Sequence, residues 1–355
     1  MSIADSFMKN NIFALDLFCG AGGLTRGMLD AGIDVVAGID IDTDSKFAYE
    51  TNNIRQNGKS CQYIQQDITT ISPKILKRIL PSRRYKKFLL AGCAPCQPFS
   101  RKNSKNTKTD SRKTLLEEFA KLVSSLTPDF VFMENVPGLP KLAPQIFTTF
   151  CNTLKKEGFK YIKYGVINAK WYGVPQNRKR FVLLAAKTYP VSIPTPIFTE
   201  KTGFCTVYPT IAELPVLKAG EKDTNDELHR CAGLSTLNLK RVKIIKKNRS
   251  ELPDELVLAC HKHTTGHHDA YGRMDPDKPA PTLTTRFFSI TTGRYIHPTQ
   301  NRAISLREGA LLQTFPKNYQ FRGSMQSIAK QIGNAVPPQM AKELISSLVK
   351  GNKNV

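Results

Sequence analysis

The sequence predicts a doubly wound α/β fold followed by a second, smaller domain of irregular and β structure, and three observations predict it. Short, wholly apolar runs recur through the first half, near residues 12–18, 35–39, 88–91 and 130–133, as parallel strands buried on both faces should. Helix-period stretches separate them, the clearest placing Leu115, Phe119, Leu122, Val123 and Leu126 on one face. Beyond about residue 189 the alternation fades, and prolines at 190, 194, 196, 209 and 215 mark a boundary.

In chain order, the first run ends in a glycine-rich turn. Gly20, Gly22 and Gly23 let a ligand approach backbone amides before a helix over 24–31. The dinucleotide fingerprint is absent, since Thr25 and Gly27 break its spacing, and a nicotinamide enzyme is disfavoured. The second strand ends at Asp40, where a carboxylate can accept ribose hydroxyls. A helix N-cap is the other reading of Asp40, although Asp42 and Asp44 stand closer to the helix expected over 45–57. A third strand near 63–65 leads to Asp67 and Ile68.

The run at 88–91 then delivers Cys96. Cys93 and Cys96 form a CxxC, which suits a redox pair or half of a zinc site, but no second pair lies nearby. Cys93, inside the apolar run, reads as a structural thiol. Cys96 stands between Pro95 and Pro98 before a cationic stretch, which favours a nucleophilic thiolate. That stretch carries Arg101, Lys102, Lys105, Lys108, Arg112 and Lys113 against Asp110 alone; it reads either as a solvated loop or as a lid closing on phosphates. Thr114 to Glu117 offers a capping box. Glu134 ends the next strand, where a carboxylate must pair or hold its proton, and a salt bridge to Arg178 without chemistry is the bland alternative to a role in the reaction. Arg178 and Arg180 alternate as if along one strand, and so are expected on one face.

Composition narrows the partner. Among 355 residues, 52 Lys and Arg against 29 Asp and Glu give a formal charge of +23, which calls for a polyanion. No apolar run spans a bilayer and no signal or lipidation motif occurs, so nucleic acid in the cytoplasm is favoured over a membrane surface. Eight cysteines without framework spacing fit reduced thiols. His263 and His267 near Cys260 have helical ligand spacing, but Gly266 and the missing second pair leave no metal expected.

Five blocks occur in order: Asp16-Leu17-Phe18-Cys19-Gly20-Ala21-Gly22-Gly23, Pro95-Cys96-Gln97, Glu134-Asn135-Val136, Gln176-Asn177-Arg178-Lys179-Arg180, and Gln331-Ile332-Gly333-Asn334-Ala335-Val336-Pro337-Pro338. Together they resemble the cytosine-5 DNA methyltransferases, of the prokaryotic restriction–modification type. The resemblance implies a Rossmann-like S-adenosylmethionine-dependent methyltransferase sheet in 1–188, a target-recognition domain in 189–324 and a return to the sheet in 325–355, with a cleft between two lobes. It implies Cys96 as nucleophile, Glu134 on the Watson–Crick edge of cytosine, Arg178 on its carbonyl oxygen and Arg180 in the scaffold. For the cofactor it implies Phe18, Gly20, Gly22, Gly23, Leu24, Asp40, Ile41, Asp67, Ile68, Pro95, Asn334 and Ala335. Family members often carry an aromatic where Ile41 stands. For DNA it implies Gln97, Ser100, Arg101, Asn135, Arg180, Lys240, Arg241, Lys243, Thr282 and Arg286, with His297, Arg302, Arg307 and Glu308 bracing the recognition domain. A monomer acting on double-stranded DNA, with a restriction endonuclease as genetic partner, completes the expectation. A tRNA methyltransferase of the same motif set is disfavoured because no Cys-Phe-Thr tripeptide occurs, and an inactive DNA-binding module because it would need none of these residues.

Overall fold

In the computed structural model, which describes residues 12–82, 86–94, 115–258 and 269–350, the apolar runs of the first half become neighbouring strands of one sheet. The strands are β1 (Ile12–Leu17), β2 (Asp34–Asp40), β3 (Gln62–Gln65), β4 (Lys87–Gly92), β5 (Phe130–Asn135), β6 (Tyr161–Asn168), β7 (Gln176–Asn177), β8 (Lys179–Ala186) and β9 (Ala280–Pro281). Seven of them form a sheet in the order β3-β2-β1-β4-β5-β8-β6. The first five run parallel, while β8 lies antiparallel to both β5 and β6. Strand order reverses between β1 and β4, which is the switch point where open α/β sheets take ligands at their carboxyl ends. Pro95, Cys96, Gln97, Ser100, Arg101, the cationic stretch to Lys113 and the capping Thr114 lie outside the described residues, as do Cys260 and the histidines at 261, 263, 267 and 268.

Both faces of the sheet are covered, which is why the strands read as unbroken apolar runs. Every residue of β1 is buried. The helices of this part are α1 (Gly23–Asp30), α2 (Ser45–Asn52), α3 (Pro73–Ile79), α4 (Leu115–Leu126), α5 (Leu139–Leu142) and α6 (Pro144–Lys156). The stripe read from the sequence of α4 is core: Phe119, Leu122, Val123 and Leu126 are buried with Phe150 of α6, and the Phe119 and Phe150 rings meet edge-on at 5.4 Å. Phe13 of β1 stacks on Phe88 of β4 at 5.0 Å. Burying one such ring contributes roughly 1.5–3 kcal/mol. The helix expected over 45–57 stops at Asn52, because the chain turns back: Asn53 is extended, Arg55 and Lys59 pair across a turn, and Gly58 takes a positive φ of 79°.

The chain divides into two compact units. The first holds the sheet and comprises residues up to Asn168, Lys179–Pro196 and the stretch from Val336 on. The second comprises Ala169–Arg178 and Ile197–Ala335, so the return to the sheet comes at Val336 rather than at 325. Its helices are α7 (Val207–Ile211), α8 (Thr236–Ile244), α9 (Leu306–Leu312) and α10 (Met325–Asn334); α11 (Pro338–Lys350) belongs to the first unit. Among the described residues the second unit has only the two-residue pair β7–β9 as sheet, and it satisfies its backbone with arginines instead. Arg273 donates to the carbonyls of Val242 (2.8 Å), Ile245 (2.9 Å) and Gln300 (2.7 Å). Arg302, fully buried, makes a two-pronged pair with Glu308 at 2.8 and 2.7 Å. Burial works to raise the Glu308 pKa, but hydrogen bonds from Arg302 and His297 overcome it and hold the carboxyl well below the usual range. Among the described residues no helix is long and apolar enough to cross a membrane.

Helix α11 closes over α1 at Gly27. A Cβ there would lie 2.4 Å from the Cβ of Ala341 and 2.6 Å from the carbonyl oxygen of Pro338. Gly27→Ala is therefore expected to lower stability by about 1–3 kcal/mol through overpacking, read as a reduced urea midpoint with unchanged slope. An unaltered midpoint would show that the two helices separate freely.

Candidate active site

The glycine turn after β1 requires left-handed backbone. Gly20 has φ 48° and Gly22 has φ 88°, and Phe18 is held at φ 59°, a conformation that costs a side-chain-bearing residue about 1–3 kcal/mol. The turn is tied to β2: the amide of Cys19 donates to the Ile39 carbonyl at 3.2 Å, and that of Gly20 to Asp40 Oδ2 at 2.8 Å. Asp40 Oδ1 accepts the Asp42 amide at 2.9 Å, so Asp40 ties two chain segments together rather than capping the next helix. Burial pushes its pKa up, and the amides of Asp42 and Gly20 offset part of the rise. Ionised, the carboxylate keeps lone pairs free for two hydroxyls.

Beside Asp40, Ile41 is 65% exposed, an apolar side chain left open at a strand end, while Phe18 is half-buried on the core. Asp67 accepts the amide and hydroxyl of Thr69 at 2.8 and 2.9 Å. Gly22, Gly23, Leu24 and Ile68 are buried, so the Leu24 and Ile68 side chains belong to the core and only backbone is offered by the turn. An anionic group suits the first amides of α1, a diol suits Asp40, and a flat ring suits the open apolar Ile41. These residues fit S-adenosylmethionine. In the second unit, Asn334 is exposed at the end of α10, and Ala335 follows it.

Sequence reasoning missed a buried polar cluster under the turn. Asp16 is fully buried in β1; the Thr25 hydroxyl donates to its Oδ2 at 2.6 Å, and the Tyr49 hydroxyl lies 3.0 Å from that of Thr25. Among the described residues its Oδ1 has no hydrogen-bond partner. The one available signal was a carboxylate inside an apolar run.

Glu134 ends β5 and is nearly buried, with its Oε1 2.8 Å from Nε of Arg180 on β8. The alternative of a salt bridge to Arg178 is not the one formed. Arg178 lies between β7 and β8, in the second unit, and its guanidinium donates to the carbonyls of Leu283 (3.3 Å), Gly333 (3.1 Å) and Ala335 (3.1 Å). The strand is interrupted at Arg178, so the two arginines do not lie on one continuous strand. Asn135 is buried, with Nδ2 donating to the Ala94 carbonyl at 2.9 Å, so it holds the chain just after β4.

In the second unit Lys240 and Lys243 are exposed on α8, as are Lys246 and Lys247 beyond it. Glu251 nearby is occupied by the amides of Lys246 and Lys247 at 2.6 and 2.9 Å. Arg241 is 5% exposed, bonded to the Leu256 carbonyl (2.8 Å) and Asn238 Oδ1 (2.9 Å) and set over the Tyr271 ring, so it is not a DNA contact. One helical step of about 100° carries it from the surface occupied by Lys240 to the core. Thr282 donates to the Asn177 carbonyl at 2.8 Å, and Arg286 is exposed.

Burial, opposed by the Thr25 hydrogen bond and reinforced by the Asp40 charge, raises the Asp16 pKa from 3.8 to about 7. A carboxyl whose folded pKa exceeds its unfolded value gives stability that is complete below pH 4 and is lost as pH rises to about 7. Asp16→Asn should therefore gain stability relative to the native chain across that window, by up to about 4 kcal/mol. Unfolding free energies of both proteins that run parallel from pH 4 to 8 would refute the buried titration.

The chain matches the family model described as C-5 cytosine-specific DNA methylase over residues 12–350. It is 38% identical over 343 residues to the type II methylase M.HgiDII of Herpetosiphon aurantiacus, covering 94% of each chain. It is 32% identical to the type II methyltransferase M1.HphI of Haemophilus parahaemolyticus, over 96% of this chain and 87% of that one. Among solved structures, Entamoeba histolytica methyltransferase EhMeth superposes with a TM-score of 0.66 at 17% identity, covering 96% of this chain and 98% of that one, a likeness of fold. A glycine turn and Asp40 suited to S-adenosylmethionine, a carboxylate–arginine pair at the carboxyl end of β5, and a match across nearly the whole chain agree: the protein belongs to the C-5 cytosine-specific DNA methylase family and is a DNA (cytosine-5) methyltransferase.

Proposed function

We propose that methyl transfer in this protein runs through Cys96 and Glu134, with Arg180 rather than Arg178 as the arginine on the target cytosine. The Glu134–Arg180 pair carries this reading, since it sets an acceptor and a donor side by side at the carboxyl end of β5. Carbon 5 of cytosine is a weak nucleophile until the ring loses its aromaticity. Cys96 thiolate adds to carbon 6, Glu134 holds the Watson–Crick edge and shares a proton with ring nitrogen 3, and Arg180 holds the carbonyl oxygen. Bound S-adenosylmethionine supplies an electrophilic sulfonium methyl. Phe18, Asp40, Ile41 and Asp67 orient that group, and Asn334 and Ala335 are proposed as further contacts to it. Loss of the carbon 5 proton and departure of Cys96 then release the methylated base.

None of these atoms is reachable in a stacked duplex, so the base must be extruded, at about a few kcal/mol. The second unit is proposed as the target-recognition domain, with Lys240, Lys243, Lys246, Lys247 and Arg286 on phosphates and Gln97, Ser100 and Arg101 near the extruded base. A site-specific duplex is proposed as substrate, a monomer as the acting form and a type II restriction endonuclease as genetic partner; the type II names of the relatives support the first and the last.

Duplex DNA carrying 5-fluorocytosine should trap a protein–DNA adduct at Cys96 that Cys96→Ser cannot form; adduct formation by the Ser variant would remove Cys96 from the mechanism. Arg180→Ala should lower the rate at saturating substrate about a hundredfold with little change in melting. Arg178→Ala should first lower the melting temperature, and the reverse pattern would exchange the two roles. Changing Lys240, Lys243, Lys246 and Lys247 to Gln should flatten the salt dependence of DNA binding by about 0.9 in log–log slope for each phosphate no longer neutralised. An unchanged slope would move the interface off α8.

A further inference from the structure

Cys93 is left without a role by the chemistry above, yet it stands in the same row of the sheet as Glu134. Gly92 of β4 is paired with Met133 of β5, so the next residue of each strand, Cys93 and Glu134, are side by side. The backbone keeps that row in place on both sides: the Cys93 amide donates to the Leu17 carbonyl of β1 at 3.3 Å, and one residue on, Asn135 holds the Ala94 carbonyl at 2.9 Å. Arg180 approaches the same carboxylate from β8, on the opposite flank.

We propose that Cys93 is a positioning residue for Glu134, its thiol donating a hydrogen bond to the carboxylate from the β4 side while Arg180 holds it from the β8 side. This rests on the reading of Glu134 as the group that binds the target base. Burial, then the charge of Glu134 and that of Asp16 on β1, push the Cys93 pKa well above its ordinary value, with Arg180 opposing. Cys93 thus stays a neutral thiol. It can donate to Glu134, and it is barred from competing with Cys96 as a second nucleophile. A thiol also suits a carboxylate that must take up and release a proton. A weak donor fixes its direction without locking it in the charged form, as a second guanidinium would.

The test is single-turnover methylation of a cognate duplex with saturating S-adenosylmethionine, comparing the native protein with Cys93→Ala, Cys93→Ser and Glu134→Gln. Cys93→Ala should lower the rate about tenfold, the size expected for losing one weak donor to a charged group, with KM for DNA and cofactor unchanged. Its pH–rate profile should move to higher pH, because a carboxylate deprived of a donor keeps its proton longer. Cys93→Ser, which restores a donor, should recover most of the rate. If Cys93→Ala fails to bind cofactor and so to fold, Cys93→Val fills the space without a donor and takes its place in the comparison with Ser. A donorless variant with native rate and pH profile, or a Ser variant as slow as the donorless one, overturns the proposal. Glu134→Gln with native rate overturns the reading beneath it; an inactive Glu134→Gln beside an unaffected Cys93→Ala overturns only the role of Cys93.

Discussion

The register of β4 between β1 and β5 is the constraint on which the rest depends. Parallel strands end together, so Phe18, Cys93 and Glu134, far apart in the chain, come out along one edge of the sheet. A parallel pair cannot be joined by a tight turn, and each return crossing needs a helix; the glycine turn and α1 are the first such crossing. A slip of one residue between β4 and β5 would set Cys93 beside Met133 or Asn135 in place of Glu134. The buried apolar residues of β1, β4 and β5, from Phe13, Phe88 and Val131 to Leu17, Leu90 and Met133, fix that register far more strongly than any polar contact at the edge, because they are spread along the strands.

The second unit is organised by a different economy of hydrogen bonds. With little sheet among its described residues, its carbonyls need donors from elsewhere, and Arg178, Arg241, Arg273 and Arg302 bring several each to the interior. A guanidinium suits this work because it carries five donors in a rigid plane and stays charged when buried. Part of the basic excess is therefore structural. Net charge alone overstates the number of cations that can meet a phosphate backbone, and Lys240 beside Arg241 shows how one residue step separates the two uses.

This contrast explains what could be read from the sequence. The strands were legible because each is an apolar run bounded by Gly, Pro or Asp, and the glycine turn with Asp40 was legible because a ligand-binding backbone needs those residue types at that spacing. The end of α2 at Asn52 was not, since it depends on pairing between Arg55 and Lys59 rather than on any breaker within the helix. The partners of Arg178 were hidden for a related reason: Leu283, Gly333 and Ala335 lie more than a hundred residues away, and no local pattern announces them. Cys96 was legible as a motif, whereas the neighbours of Cys93 emerged only with the strand register.

The path of the chain between its two units bears on how the protein is made. The chain leaves the sheet unit after Asn168, revisits it for Lys179–Pro196, and returns for good at Val336. Helix α11, which covers Gly27 on α1, thus emerges from the ribosome only after the whole second unit has been made. Until then α1 lacks its cover, although it precedes that unit in the chain. The cofactor-binding half cannot mature ahead of the rest during translation. Its contacts join segments on either side of the second unit, and such long-range closure makes for slow, late acquisition of the native sheet unit. Premature termination would leave an apolar face for chaperones or proteases to find, instead of a truncated protein with a finished cofactor site.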